Sequence, residues 1–199
     1  IVTQGALYPN SYFAYVLVTN GDLEKGVAGA QFGIQYEAAP QQGVDIFSWH
    51  NCAGAEFPTP DWPEPGSGNV LTWIAGTQCQ RAEPGGPGTG VMATLGYFYL
   101  AAYSPGEIRL APFPSDGTAR VADCNSATYT IAGGGVVHDP PHLGTAGFSA
   151  DASVAGHNPC DPASLINCAI SGPASVLSHE TALVYSANAA PANATFAWS

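Results

Sequence analysis

Apolar and polar positions alternate with a period of two through much of the first half of the chain. Between residues 26 and 36, Ala28, Ala30, Phe32, Ile34 and Tyr36 share one face, while Gln31 and Gln35 share the other. Successive side chains of a strand point to opposite sides, so this segment predicts a half-buried strand with its apolar face inward. Residues 11–19 are largely β-branched and aromatic and run into Asn20-Gly21, a turn signal. Residues 44–50 and 70–75 predict two further strands. Between them, Pro58, Pro60, Pro63 and Pro65 surround Trp62. Proline has no N–H to give a ladder, so that stretch cannot be a central strand.

A breaker-rich loop at 82–90 precedes the strongest predicted strand, residues 91–103. Within it Tyr97, Phe98 and Tyr99 are consecutive, so at least one of these rings must face away from the domain's own core. Shorter strands are predicted at 107–110 and 119–123, with Ser115-Asp116-Gly117 as the turn between them. Past Cys124, strands remain legible at 128–131, 135–137, 175–186 and 195–198, between loops of Gly, Pro and Asn. Short strands, frequent turns and no helical periodicity predict an all-β fold, an immunoglobulin-like or jelly-roll β-sandwich. The composition changes near residue 125. The expected organisation is a sandwich over 1–125 and a β-rich extension over 126–199 that completes the sandwich or packs on a neighbouring subunit.

Charge sharpens this picture. The 199-residue chain has four Lys and Arg residues (Lys25, Arg81, Arg109 and Arg120) against fifteen acids, a formal net charge of -11. Charged residues make up 10% of it, where an ordinary soluble domain has roughly 25%. Hydrophobic residues, at 46%, supply a core, so the low charge does not signal disorder. Nucleic acid is excluded as a partner, because phosphate binding needs clustered Lys and Arg. The longest apolar stretch, 91–103, is shorter than the roughly 20 residues of a membrane-spanning helix. Lysine is also the usual guard of exposed sheet edges. A β-rich chain with a single Lys either hides its edges or uses them.

Candidate chemistry is sparse. The cysteines (Cys52, Cys79, Cys124, Cys160 and Cys168) show no C-x-x-C spacing and so predict no zinc site. The chain begins at Ile1 without an initiator Met, which suggests a mature exported protein after removal of a signal peptide. Export favours disulfides. The expected pairs are Cys52–Cys79 and Cys160–Cys168, leaving Cys124 as a buried free thiol or an inter-subunit bridge. His138, Asp139 and His142, with His157 further on, form the densest group of potential metal ligands, but Pro140 and Pro141 extend the loop between them. No metal or other cofactor is expected. The acids of the turns, Asp22, Glu24 and Asp116, read as solvated turn residues. No G-x-S-x-G elbow occurs, and His179-Glu180 lacks the second His of a zincin helix, since position 183 is Leu. No catalytic residue is predicted. Among the aromatics, Trp49 and Trp73 are expected in the core, and Trp62, in its Pro-rich loop, is the candidate for stacking on a ligand.

The run from Gly26 to Tyr36, followed by Gly43-Val44-Asp45-Ile46, resembles the early strands of cohesin-like β-sandwich modules of bacterial secreted proteins. The same sandwich recurs in carbohydrate-binding modules. Phe57-Pro58 with Trp62-Pro63, and the run Val121-Ala122-Asp123-Cys124-Asn125, are similar to segments of other secreted sandwich modules. The resemblance covers residues 11–125 or so. It implies a jelly-roll fold, an extracellular or cell-surface setting and attachment to a protein or polysaccharide. The expected disulfides depart from ordinary cohesins, so conventional dockerin binding is not implied.

The leading expectation is an exported, non-enzymatic structural subunit that self-assembles into an extracellular filament, pilus-like fibre or surface layer. Its partner is then itself, joined by strand addition from Ile1, Val2 and Thr3 or from Thr195, Phe196, Ala197 and Trp198. Head-to-tail contacts of that kind form open polymers when the rotation does not close. On this view the low-charge extension after Cys124 is where subunits meet. The alternative is a carbohydrate-binding or cohesin-like adhesion module that uses Trp62 and a tyrosine-lined face.

Overall fold

A computed structural model describes residues 2–138, 141–159, 169–171 and 186–188. The chain divides into two compact units, 1–158 and 159–199. The first is a sandwich of two sheets.

The larger sheet is built around β3 (Gly29–Tyr36), the strand with the clearest alternation in the sequence. On one side β3 pairs with β7 (Gly68–Thr72), which in turn pairs with β6 (Ala55–Pro58). On its other side two strands share its length. Gly29–Gln31 pairs with β10 (Thr118–Ala122), and Gly33–Tyr36 pairs with β9 (Gly106–Ala111). β10 continues to β11 (Thr128–Gly133), and β9 to β12 (Thr145–Phe148). β12 carries β1 (Gln4–Gly5) in parallel.

The smaller sheet has the order β2 (Tyr12–Gly21), β8 (Val91–Ala102), β5 (Gln42–Asn51), β4 (Ala38–Ala39). Apolar side chains from both sheets meet between them. Phe32, Ile34, Leu71 and Ile108 come from the larger sheet, and Val16, Val44, Leu95, Phe98 and Leu100 from the smaller, all buried. Burying side chains of this size removes each from water for roughly 1.5–3 kcal/mol, which makes this layer the main source of stability. In the second unit, β13 (Ala169–Ser171) pairs antiparallel with β14 (Ser186–Asn188). Among the described residues no helix is long and apolar enough to cross a membrane.

The all-β sandwich predicted from the sequence is thus observed, and part of the expected extension helps to complete it. β11 and β12 lie beyond residue 125 and are integral to the larger sheet, so the first unit runs to Asn158. The composition shift near 125 marks shorter strands and glycine turns within one sandwich. At the N-terminus, the Thr3 carbonyl accepts from the Gly147 amide at 2.9 Å, and Gly5 accepts from Ser149 at 3.1 Å. Thr3 is therefore engaged on one side with its own sheet, and Val2 is exposed. Ile1, Asp139, Thr195, Phe196, Ala197 and Trp198 lie outside the described residues.

The cysteine pairing also differs from expectation. Cys79 is bonded to Cys124, with Cα atoms 5.8 Å apart. Cys52 is exposed and is not joined to Cys79; Cys160 and Cys168 lie outside the described residues. The physical reason is the stretch that leads into β3. Val27 and Gln80 exchange both backbone hydrogen bonds at 2.9 Å, the Cys124 amide donates to Lys25 at 2.9 Å, and Ala28 donates to Ala122 at 2.8 Å. Residues 25–28 are thereby flanked by 79–80 on one side and 122–124 on the other. Cys52 instead follows the smaller sheet, with its amide on the Leu95 carbonyl. Gly26 lies under the bridge at φ 68°, and a Cβ there would run into Cys124 Sγ.

Candidate functional site

Strands β2, β8 and β5 each present alternate side chains to the outer face of the smaller sheet. Across β2 and β8, Phe13 lies opposite Tyr99 and Tyr15 opposite Tyr97. Across β8 and β5, Ser48 lies opposite Tyr99 and His50 opposite Tyr97. The intervening Phe98 points inward and is buried, as its place between two outward tyrosines requires.

Phe47 joins this face because of a bulge. The register of β5 against β8 steps from Ile46 to Ser48, leaving Phe47 as an extra residue. An extra residue reverses which side chains face the core. Val44 and Ile46 point inward before the bulge and Trp49 after it, so Phe47, Ser48 and His50 all look outward. Gly96, across from this segment, leaves the space that the Trp49 ring occupies, since a Cβ on Gly96 would collide with that ring.

The outward rings form a connected cluster. Phe13 meets Tyr97 edge-on at 5.4 Å between centroids and Tyr99 at 5.2 Å. Tyr15 meets Tyr97 at 5.4 Å, Phe47 meets Tyr99 at 5.3 Å, and His50 stacks on Tyr97 at 4.9 Å. Despite these contacts Phe13, Tyr15 and Phe47 remain 60%, 59% and 49% exposed. The four basic residues make their contacts elsewhere. Arg109 and Arg120 sit on the larger sheet and pair with Glu107 and Asp116. Arg81 donates to the Leu23 and Glu24 carbonyls, and Lys25 lies over the Tyr129 ring. An aromatic face without Lys or Arg suits contact with another surface of low charge.

Trp62 is not part of it. Its ring packs inward against Phe32, Trp49 and Phe98, with centroids 5.2–5.8 Å away, and its Nε1 is buried without a hydrogen-bond partner. The Pro-rich loop folds over the sandwich instead of projecting from it, so Trp62 cannot stack on a ligand as expected. Tyr36 ties this loop down by donating to the Pro63 carbonyl at 3.0 Å. Burial, reinforced by the nearby Glu64 and Asp45 carboxylates, pushes the Tyr36 hydroxyl up to about 12. Beneath the loop, Glu56 accepts from Trp49 Nε1 at 2.9 Å and from the buried Asn69 amide at 2.8 Å. Trp49 and Trp73 belong to the core or pack against it, as predicted.

The histidine loop closes on itself. His138 and His142 stack with centroids 3.7 Å apart and planes 12° from parallel, and His157 Nε2 lies 3.0 Å from the Pro141 carbonyl. Stacked parallel rings aim their nitrogens side by side rather than at a common point. Among the described residues no three His, Cys, Asp or Glu side chains form a ligand set. Burial, with His138 alongside, holds the His142 imidazole below its ordinary value.

The turn acids are structural. Asp22 Oδ1 accepts from the Glu24 and Lys25 amides at 2.8 and 3.1 Å. Asp116 is held below the usual carboxylate range chiefly by Gln31 and Thr118. At Asp123 burial works upward, but the amides of Ala127 and Asn125 and the Tyr129 hydroxyl outweigh it and lower the carboxyl.

The sequence predicted that at least one of Tyr97, Phe98 and Tyr99 faces outward, and missed Phe13, Tyr15, Phe47 and His50. A usable signal existed in β2: Tyr12, Ala14 and Val16 fill one face, yet Phe13 and Tyr15 make the other aromatic too. A strand apolar on both faces has two surfaces to cover.

No family model matches the sequence, and no curated relative does. Among solved structures, the chain is similar to a cohesin module from a family 33 glycoside hydrolase of Clostridium perfringens ATCC13124. The TM-score is 0.45 at 12% sequence identity, over 74% of this chain and 90% of that chain. The likeness extends to the β-sandwich fold and no further.

Proposed function

We propose that this chain is a non-enzymatic adhesion module that holds an extracellular assembly together through protein–protein contact. The observation that carries this reading is the exposed ring cluster, without Lys or Arg, on the outer face of the smaller sheet. Aromatic rings are the usual anchors of protein interfaces, and charged groups are depleted at the centres of such interfaces. A protein partner suits the cluster better than a flat glycan. Apart from His50 stacked on Tyr97, its rings are tilted or edge-on to one another, with interplanar angles from 30° to 89°, so they do not make the planar platform on which a sugar chain would lie. The Cys79–Cys124 disulfide supports an oxidising compartment.

The experiment replaces Phe47 and Tyr99 by Ser in cells that export the full chain. The variant should pass from high-mass extracellular material into the medium while keeping its near-ultraviolet circular dichroism. Undiminished retention would defeat the reading. Binding of the wild-type chain to cellulose or chitin that the variant loses would instead favour a glycan ligand.

A second reading, self-assembly into a filament or surface layer, is favoured by β2, a long strand with no charged residue that ends the smaller sheet among the described residues. It shares the ring face with the first and differs in its partner, which is another copy of the chain. Negative-stain microscopy of native material tests it: fibres or sheets support it, and dispersed monomers at every concentration defeat it.

A further inference from the structure

Strands β2, β8, β5 and β4 together carry one side chain of fixed charge, Asp45. Val44 and Ile46 on either side of it pack into the core, so Asp45 points to the outer face, the face of Phe47 and Tyr99. The Gln41 amide donates to Asp45 Oδ2 at 3.2 Å. A carboxylate has further acceptor positions beyond that one. Across from Asp45 stands Ala101, which adds little bulk there, and the next outward side chain of β8 is Tyr99. Phe47 lies two residues along β5 from Asp45, roughly 7 Å by the rise of a strand. The face thus sets one carboxylate beside exposed rings, with no Lys or Arg in its own strands to neutralise it.

We infer that this face receives an arginine-bearing segment of a different protein, with a guanidinium over the Phe47 and Tyr99 rings and Asp45 as its counter-ion. The inference rests on the attachment reading above and names the chemistry of the partner. Charge selects it. At a net charge of -11 the chain repels a second copy of itself and draws cations. Its own cations do not serve: Arg109, Arg120, Arg81 and Lys25 are engaged with Glu107, Asp116, the Leu23 and Glu24 carbonyls, and Tyr129. A ring face attracts a cation through its quadrupole, and a carboxylate alongside adds a hydrogen-bonded ion pair. Arginine suits both halves better than lysine. Its guanidinium is planar, stacks on rings, grips a carboxylate with two N–H groups and gives up water readily, whereas an ammonium is compact and strongly hydrated. One arginine in an otherwise low-charge segment also matches the composition of interface centres, where arginine and aromatic residues are enriched.

The test titrates the full chain with the blocked peptide Gly-Arg-Gly and with its lysine and citrulline counterparts, read by the ring resonances in NMR. The arginine peptide should shift the rings of Phe47 and Tyr99, and the uncharged citrulline peptide should bind roughly fivefold more weakly or worse. Asp45→Asn should weaken the arginine peptide roughly threefold. Glu107→Gln, a charge-matched change on the larger sheet, should leave it unaltered. Shifts confined to the turn acids, equal losses from both variants, or no binding overturn the inference. Lysine binding as tight as arginine overturns the choice of cation, and citrulline binding as tight overturns the need for one. Export of the Asp45→Asn chain separates this inference from the attachment reading. It should pass partly into the medium. If it is retained while the Phe47 and Tyr99 variant is released, attachment stands and the arginine contact falls. If both are retained, the attachment reading falls and this inference with it.

Discussion

The indole of Trp62 meets that of Trp49 edge to face, 5.2 Å between centroids and 89° between planes. This contact joins the Pro-rich loop to the inner face of β5 and packs Trp62 against the core. Trp62→Ala should therefore destabilise the fold by about 3–5 kcal/mol, the range for emptying a large aromatic site. Denaturant unfolding measures the loss. A change below about 1 kcal/mol would return Trp62 to the surface role its sequence context suggested.

The outer rings should behave in the opposite way. Phe47→Ser removes a half-exposed ring whose ring contact is with Tyr99, so its cost should stay within about 1 kcal/mol. Thermal unfolding checks the cost, and release from extracellular material reads the function. A stability loss as large as that of Trp62→Ala would mean that Phe47 is structural.

How much of this was legible beforehand depended on how local each cause is. The alternation from Ala28 to Tyr36 is a property of adjacent residues, and it located β3 and its inner face. The run Tyr97-Phe98-Tyr99 likewise fixed an outward aromatic, because neighbours in a strand must diverge. Phe47 and His50 were not legible. Their orientation depends on a bulge whose register exists only once β5 lies against β8. Trp62 misled for a related reason: four nearby prolines describe a loop, but not the direction in which it folds. The cysteine pairing failed because residues 25–28, remote in sequence from both partners, bring Cys79 and Cys124 together.

The bridge itself gives a third prediction. Cys79→Ser with Cys124→Ser should lower stability by about 2–4 kcal/mol, mainly by freeing the unfolded chain. Gly26→Ala should also destabilise with the cysteines intact, because it places a Cβ against Cys124 Sγ at a backbone conformation that side chains resist. Combining the two tests their connection. Part of the Gly26→Ala cost should vanish once the bridge is gone, and strictly additive losses would refute the contact.

Tyr36 makes stability depend on alkaline pH. Its hydroxyl is pushed from 10.0 to about 12 in the fold. The unfolded chain thus loses this proton first as pH rises. The contribution is complete below pH 10 and is lost as pH climbs through about 12. Tyr36→Phe should flatten this part of the stability profile and loosen the loop held by the Pro63 hydrogen bond. Ultraviolet titration should show one tyrosine fewer ionising late; an unchanged curve would place the raised group elsewhere.

The Cys79–Cys124 bridge has a mechanical consequence as well. If the proposed attachment role holds, the module is loaded in tension, and a pulled chain lengthens by paying out unfolded residues. The bridge spans a sequence separation of 45 residues, which extended would add roughly 150 Å. With the bond closed, force applied from outside passes from Cys79 directly to Cys124 and cannot draw out β8, β9 or β10. The centre of the smaller sheet thus lies inside a covalent bypass, and only the segments outside it can yield under load.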